Sequence, residues 1–186
     1  MDFDKLLVET GALLNGHFLL RSGLHSNRYF QAALALQHTK TAEKICTALA
    51  DLFKNTEIET VISPAIGGIV VGQEVGRALG VKAIFAEKDK NDELILRRGF
   101  KIAKGEKILV AEDVVTRGGR VQQTVDLVRE LGGDVVGVAV IVDRSAGNAP
   151  DFGAPMKSLL ELTIETYNPN ECPMCKKNLP MDKPGS

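Results

Sequence analysis

Two adjacent carboxylates, Glu112 and Asp113, follow the apolar run Ile108-Leu109-Val110-Ala111, and the stretch Val114-Val115-Thr116-Arg117-Gly118-Gly119-Arg120 comes next. An apolar strand, an acidic pair, a glycine turn and an opening helix lie in one frame. The turn reads as an anion site. Successive backbone N–H groups in a glycine turn form a concave nest, and a helix N-terminus adds partial positive charge. Two glycines let the backbone come close to a ligand. Thr116 brings a hydroxyl, and Arg117 and Arg120 bring cations. Glu112 and Asp113 would repel a phosphate set on top of them. They suit a neighbour that wants acceptors: sugar hydroxyls, a metal's waters or a developing cation. The plainer alternative is a strand-to-helix turn whose glycines serve geometry alone. No Gly-x-Gly-x-x-Gly follows a strand and no Gly-x4-Gly-Lys-Ser/Thr occurs, so dinucleotide and P-loop readings lack support.

Three further segments carry candidate chemistry. Ser63-Pro64-Ala65-Ile66-Gly67-Gly68 places small residues between an apolar strand and a helix, which repeats the anion-site logic. Its alternative is an ordinary proline-containing turn. Val142-Asp143-Arg144 ends the next long apolar run, where Arg144 could grip a carboxylate through two parallel hydrogen bonds. It could equally pair with Asp143 or another carboxylate of the chain. Residues 88–106 are rich in charge. Lys88, Lys90, Arg97 and Arg98 could neutralise a departing anion, or could form a solvated hairpin.

Apolar periodicity supplies the elements that must hold these groups. It predicts a helix over 2–14, strand pieces over 16–21 and 27–34 around a Ser22-Gly23 hairpin, and a helix over 41–53. A buried strand over 60–63 leads into a helix ending near Leu79. Strands are predicted over 82–87, 94–96, 107–111, 135–142 and 159–164, with a helix over 119–131. This β-α-β-α-β order implies a parallel sheet covered by helices on both faces. The run VVGVAVIV (135–142) lacks alternation, as a strand buried on both sides should. Ligands of such sheets sit at the carboxyl ends of the strands. From Asn168 onward the chain is polar and holds four of its seven prolines, which predicts an irregular extension.

With 186 residues, 44% hydrophobic and 25% charged, the chain has globular proportions. Lys+Arg of 23 against Asp+Glu of 24 leaves a net charge of −1, which argues against a nucleic-acid-coating protein. No apolar run approaches the about 18 residues of a membrane span. The start lacks the basic region of a secretory signal. No membrane and a cytoplasmic setting are therefore expected. Cys46 stands alone in a predicted helix and reads as a small buried apolar residue. Cys172-Pro-Met-Cys175 has the spacing of half a zinc knuckle, but structural zinc wants four ligands. The histidines, at 17, 25 and 38, are far from it in sequence. The expectation is a plain structural turn. The one attractive zinc geometry would be two tails meeting across a dimer axis.

The stretch 108–120 resembles the phosphoribosyl pyrophosphate (PRPP) signature of type I phosphoribosyltransferases. The resemblance implies that Glu112 and Asp113 contact the ribose hydroxyls and that Val114 to Arg120 complete the PRPP site. Thr116, Arg117, Gly118, Gly119 and Arg120 would then hold the 5-phosphate. Ala65, Ile66, Gly67 and Gly68 look like the loop that receives pyrophosphate. Gly16 to Phe30 resembles the N-terminal hood of orotate phosphoribosyltransferases, with Arg21 at the place of a base-site cation. Asp143-Arg144 is similar to the pair whose arginine contacts the orotate carboxylate, with Thr116 beside it. Lys88 best matches the lysine of the family's mobile catalytic loop. The commonest Arg-Lys-x-x-Lys-x-His pattern is not recognisable in 88–106. Glu112, Asp113 and Lys88 are the implied catalytic set. The tail resembles the endings of one subgroup of orotate enzymes. The implied fold is α/β, with the family's parallel sheet, helices on both faces and an N-terminal hood. As one compact domain, it would comprise a helix and hood at 1–38, a PRPP-binding core at 39–166 and a tail at 167–186. The implied reaction joins orotate to the phosphoribosyl group of PRPP. Mg²⁺ would be carried by PRPP rather than by protein ligands, and the enzyme would be a homodimer that binds neither nucleic acid nor membrane. A purine-base phosphoribosyltransferase and a non-catalytic PRPP-sensing regulator are the alternatives. A regulator should add a DNA-binding segment, and the chain offers no recognisable helix-turn-helix or basic helix.

Overall fold

The computed structural model describes residues 3–20 and 22–184. Its first half contains α1 (Phe3–Glu9), β1 (Leu13–Leu19), β2 (His25–Phe30), α2 (Ala32–Leu36), α3 (Thr39–Asp51), β3 (Thr60–Pro64), α4 (Gly67–Leu79), β4 (Lys82–Lys88) and β5 (Leu94–Leu96). β6 (Lys107–Val115), α5 (Gly119–Glu130), β7 (Asp134–Asp143), β8 (Met156–Glu161), β9 (Thr166–Tyr167) and α6 (Pro173–Lys176) follow. A six-stranded sheet has the order β5-β4-β3-β6-β7-β8, with only β5 antiparallel to its neighbour. The expected parallel sheet is therefore present.

Strand residues alternate between two buried layers. Val61, Leu109, Ala111, Ala139 and Ile141 pack with Ile45 and Leu49 of α3 and Val71 and Val75 of α4. Ile62, Ile108, Val110, Val138 and Val140 pack on the opposite face with Val121, Val125 and Val128 of α5. The middle of each central strand is apolar on both sides because both faces are covered.

Several boundaries differ from the periodic reading, each for a local reason. The first helix ends at Glu9 because Gly11 adopts a left-handed φ of 69°. Ala12 and Leu13 are still buried, but at the start of a strand. Residues 32–34, expected at the end of a strand, instead belong to α2, whose sequence AALAL is a strong helix former. β6 runs four residues past Ala111, because β7 continues beside it and pairs Val114 with Val142 and Val115 with Asp143. The acidic pair therefore lies within a strand. β8 spans Met156–Glu161 rather than 159–164.

The tail is not an irregular extension. β9 pairs with β2 through Ser26–Thr166 and His25–Tyr167. Further on, Asp182 accepts from the Leu19 amide and donates to the His17 carbonyl, both at 2.8 Å, on the other edge of the hairpin. Pro169 and Pro173 begin two short helical turns, where a preset φ costs nothing. The tail thus covers both edges of the β1–β2 hairpin, edges that would otherwise expose unpaired backbone groups.

At the opposite end of the main sheet, Glu106 ties three strand starts together. Its carboxylate accepts from Thr60 before β3 proceeds, from the Ala103 amide at 2.6 Å, and from Lys82 of β4 at 2.7 Å. Burial alone would raise the Glu106 pKa, but the bonds from Lys82, Thr60 and Ala103 hold it below the usual carboxylate value. Its contribution is therefore present above the unfolded pKa and lost as pH falls through the lower folded one. Glu106→Gln should lower stability at neutral pH by about 1–3 kcal/mol. Urea melts should show the gap to wild type narrowing on acidification below pH ~4.

Candidate active site

β3 and β6 are adjacent and parallel, so the segments that leave their carboxyl ends face each other. Between them lies a cleft of about 280 Å³ lined by Ala65, Gly67, Glu112, Asp113, Val114 and Arg120. Its remaining wall comprises Pro64 and the segment Tyr29-Phe30-Gln31-Ala32 at the end of the hood hairpin. The first turn of α4 rests directly on the acids. A Cβ on Gly67 would lie 2.9 Å from Asp113 Oδ2, and one on Gly68 would lie 2.9 Å from Glu112 Oε1. Glycine at both places lets the positive end of the helix approach the two carboxylates. The Ala65–Ile66 peptide is cis, and the Ile66 side chain is 86% exposed.

Glu112 Oε1 also accepts the Asp113 amide at 3.0 Å. Burial raises the Glu112 pKa well above the usual carboxylate value, and the Asp113 charge raises it further. Burial raises Asp113 as well, while the hydrogen bond from Glu112 opposes it. Two acids in one cleft resist being charged together, so a hydroxyl donor or a cation there would be stabilised.

β6 ends at Val115, and Thr116 and Arg117 are exposed in the turn that follows. Gly118 caps α5 with φ 73°, and no side chain caps that helix. A Cβ on Gly118 would lie 2.7 Å from Pro150 Cδ, so both the backbone angle and the packing require glycine. The amides of the first turn lack intrahelical acceptors, which makes them a cradle for an anion. Gly119 opens the helix, and Arg120 reaches the cleft.

Arg144 leaves the end of β7, and its amide donates to the Val115 carbonyl at 2.8 Å. That bond sets it beside the Thr116 turn. Burial lowers its pKa, and Tyr29 nearby acts in the opposite direction. Its Nε is buried with no acceptor among the described residues. Asp143 is otherwise engaged: its Oδ1 accepts the Ser145 amide at 2.7 Å. The alternative of an Arg144–Asp143 pair is not what the fold builds.

Lys88 closes β4 opposite Leu94 and pairs with Asp92. It is not among the residues lining the cleft. Arg98 grips Glu87 at 2.8 and 2.9 Å and lies 5.5 Å from the Phe85 ring centroid. It serves as a clamp for the β4–β5 hairpin. Arg21 lies outside the described residues. Sequence reasoning singled out neither Tyr29 nor Gln31 as a site residue. Tyr29 lay within the hood motif, but only the return of that hairpin over the sheet brings it to the cleft.

The phosphoribosyl transferase domain family matches residues 33–163. The chain is 51% identical over 181 residues to an orotate phosphoribosyltransferase of Desulforamulus reducens, covering 97% of this chain and 94% of that one. It is 50% identical over 188 residues to the orotate phosphoribosyltransferase of Carboxydothermus hydrogenoformans, covering 100% and 97%. The solved orotate phosphoribosyltransferase of Aeropyrum pernix shares the fold, with a TM-score of 0.73 and 22% identity over 85% of this chain and 92% of that chain. With an acidic pair, a glycine turn and a facing glycine loop on this sheet, the chain belongs to the phosphoribosyltransferase family, in its orotate phosphoribosyltransferase branch.

Proposed function

We propose that the chain transfers the phosphoribosyl group of PRPP to orotate, giving orotidine 5-phosphate and pyrophosphate for pyrimidine nucleotide synthesis. One observation carries the choice of base: the buried Arg144 Nε beside the glycine turn has no acceptor. A buried guanidinium donor without a partner costs free energy until an anion arrives. The carboxylate of orotate is such an anion, and uncharged purine bases bring none. In this reading Thr116 and Arg21 complete the orotate site.

The reaction breaks the bond from the anomeric carbon to pyrophosphate and forms one to orotate N1, whose proton leaves to water or to the departing pyrophosphate. Orotate N1 is acidic, so the mechanism asks for no strong protein base. The protein's work is positioning and electrostatics. The turn Thr116 to Arg120 holds the 5-phosphate. Glu112 and Asp113 orient the ribose hydroxyls and face the positive charge that develops on the sugar. Ala65 to Gly68 receive the departing pyrophosphate, and Lys88, which pairs with Asp92 outside the cleft, offsets its charge only if its segment moves toward the cleft during the reaction. The carboxylate oxygens of Glu112 and Asp113 facing the cleft are hard donors that would suit Mg²⁺ brought in with PRPP, and when bound the ion would supply charge neutralisation for the pyrophosphate. No helix among the described residues is long and apolar enough to cross a membrane. A homodimer in the cytoplasm, with no nucleic-acid or membrane partner, completes the proposal.

Arg144→Ala should raise the orotate KM by about 10- to 150-fold, the equivalent of ~1.5–3 kcal/mol for hydrogen bonds to a charged group. The KM for PRPP should stay nearly constant in the same initial-rate assay. Equal losses for both substrates would mark Arg144 as structural.

The acidic pair gives a prediction with two readouts. Glu112→Gln combined with Asp113→Asn keeps shape and removes both charges. With chemistry rate-limiting, kcat should fall further than PRPP binding weakens. Stability should move in the opposite direction. A carboxyl whose folded pKa is raised favours the folded state when protonated and loses that advantage as pH rises. The double variant should therefore melt higher than wild type at neutral pH, and the two should converge near pH ~4.

A further inference from the structure

His17, His25, Cys172 and Cys175 are separated by as many as 158 positions in the chain, yet they meet under the hood. Each offers one ligand atom, and all four atoms lie within 4.8 Å of one another. The local structure explains the convergence. His25 on β2 stands opposite Leu19 of β1, His17 lies two residues before Leu19 next to a register irregularity, and the two imidazole rings meet with their centroids 4.9 Å apart. Cys172 caps α6 and Cys175 lies three residues on, so both thiols project from one side of that turn. The pairing of β9 with β2 and the bonds of Asp182 to β1 bring that turn against that face. The expectation that a single chain lacks a second pair of ligands is overturned by this folding back of the tail.

The geometry points to a tetrahedral zinc site made of these four residues within one chain. Bond lengths to zinc at tetrahedral angles put neighbouring N and S atoms about 3.5 Å apart, two sulfurs about 3.8 Å apart and two nitrogens about 3.3 Å apart. Here Cys172 Sγ and Cys175 Sγ each lie 3.6 Å from His17 Nε2, and Cys175 Sγ lies 3.3 Å from His25 Nδ1. The nitrogens are 2.9 Å apart and open by a few tenths of an ångström to admit the ion. His17, His25 and Cys172 are 5%, 5% and 0% exposed, and Cys175 is partly buried, so little water competes for the centre. The His17 ring is already oriented as a ligand. Its Nδ1–H donates to the Leu179 carbonyl at 3.0 Å, which leaves the Nε2 lone pair facing the sulfurs. A backbone carbonyl holding the far nitrogen of a ligating histidine is the usual outer support of a zinc site. The ion would fasten the hood hairpin to the tail, and none of its four ligands lines the cleft.

Metal analysis of the full chain purified without chelator should find about one zinc per chain. Cys172→Ser and Cys175→Ser should lose it, whereas Cys46→Ala, whose thiol lies in the core, should keep it. The wild-type protein reports independently of how the variants fold. Stripped of zinc and given Co²⁺, it should develop the intense visible bands and thiolate charge transfer of tetrahedral cobalt. Metal-free protein that takes up no Co²⁺ in this form would overturn the site, as would a Cys172–Cys175 disulfide in its place. Half an equivalent per chain, lost when dimers dissociate, would place the thiolates across a dimer axis and also overturn it.

Discussion

The cleft depends on holding Glu112 and Asp113 side by side where water is scarce. Burial and mutual repulsion both oppose their charged forms. The surrounding structure offsets that cost in several ways. β6 continues through the pair instead of stopping before it, so the backbone of both acids is fixed by the ladder to β7. α4 points its positive end at them, and two glycines bring it within contact distance. Ser63 packs just as closely under Gly72, where a Cβ would lie 2.5 Å from the serine oxygen. The first two turns of α4 are thus glycine-bearing because they must lie flat on the ends of β3 and β6. The resulting strain is electrostatic, and a ligand bringing hydroxyl donors or a cation would relieve it. A site that is uncomfortable when empty gains selectivity for a partner of complementary charge.

The same logic appears with opposite sign at Arg144. There a half-buried cation beside Tyr29 keeps its buried Nε without an acceptor among the described residues. The Val115 carbonyl that fixes the Arg144 amide is the last residue of the strand that carries the acids. One strand end therefore sets the distance between an acidic pocket and a basic one. Charge on the two sides of the cleft is placed by backbone hydrogen bonds rather than by flexible side chains.

Much of this was legible in the sequence. The acidic pair and Thr116-Arg117-Gly118-Gly119 are contiguous, so local chemistry announced them. The buried strands β3 and β7 were legible because both faces are covered and their central positions, such as Val61-Ile62 and the run 135–142, are apolar or small. Less legible was the extent of β6, since acidic residues in a strand are tolerated only when a longer neighbour pairs with them. α2 was missed because five residues carry too little period to separate a helix from a strand. Arg98 carried no signal of its role as a hairpin clamp, because its partner Glu87 is eleven positions away and on another strand.

The tail was the least legible element, and the reason is physical. Its residues are polar, so no apolar period reveals where it goes, and its ordering comes from edges supplied by β1 and β2. Those strands form a hairpin with two open sides, and a two-stranded ribbon alone is marginal in water. The tail closes one side through β9 and the other through Asp182. The far end of the same β2 delivers Tyr29 and Phe30 to the cleft. The position of the cleft's upper wall therefore depends on the tail contacts of Thr166, Tyr167 and Asp182, although none of these three lines it. A substitution in the tail can reach the cleft only by shifting the register or tilt of this ribbon. The imidazoles and thiols gathered beneath it lie where such a shift would be resisted.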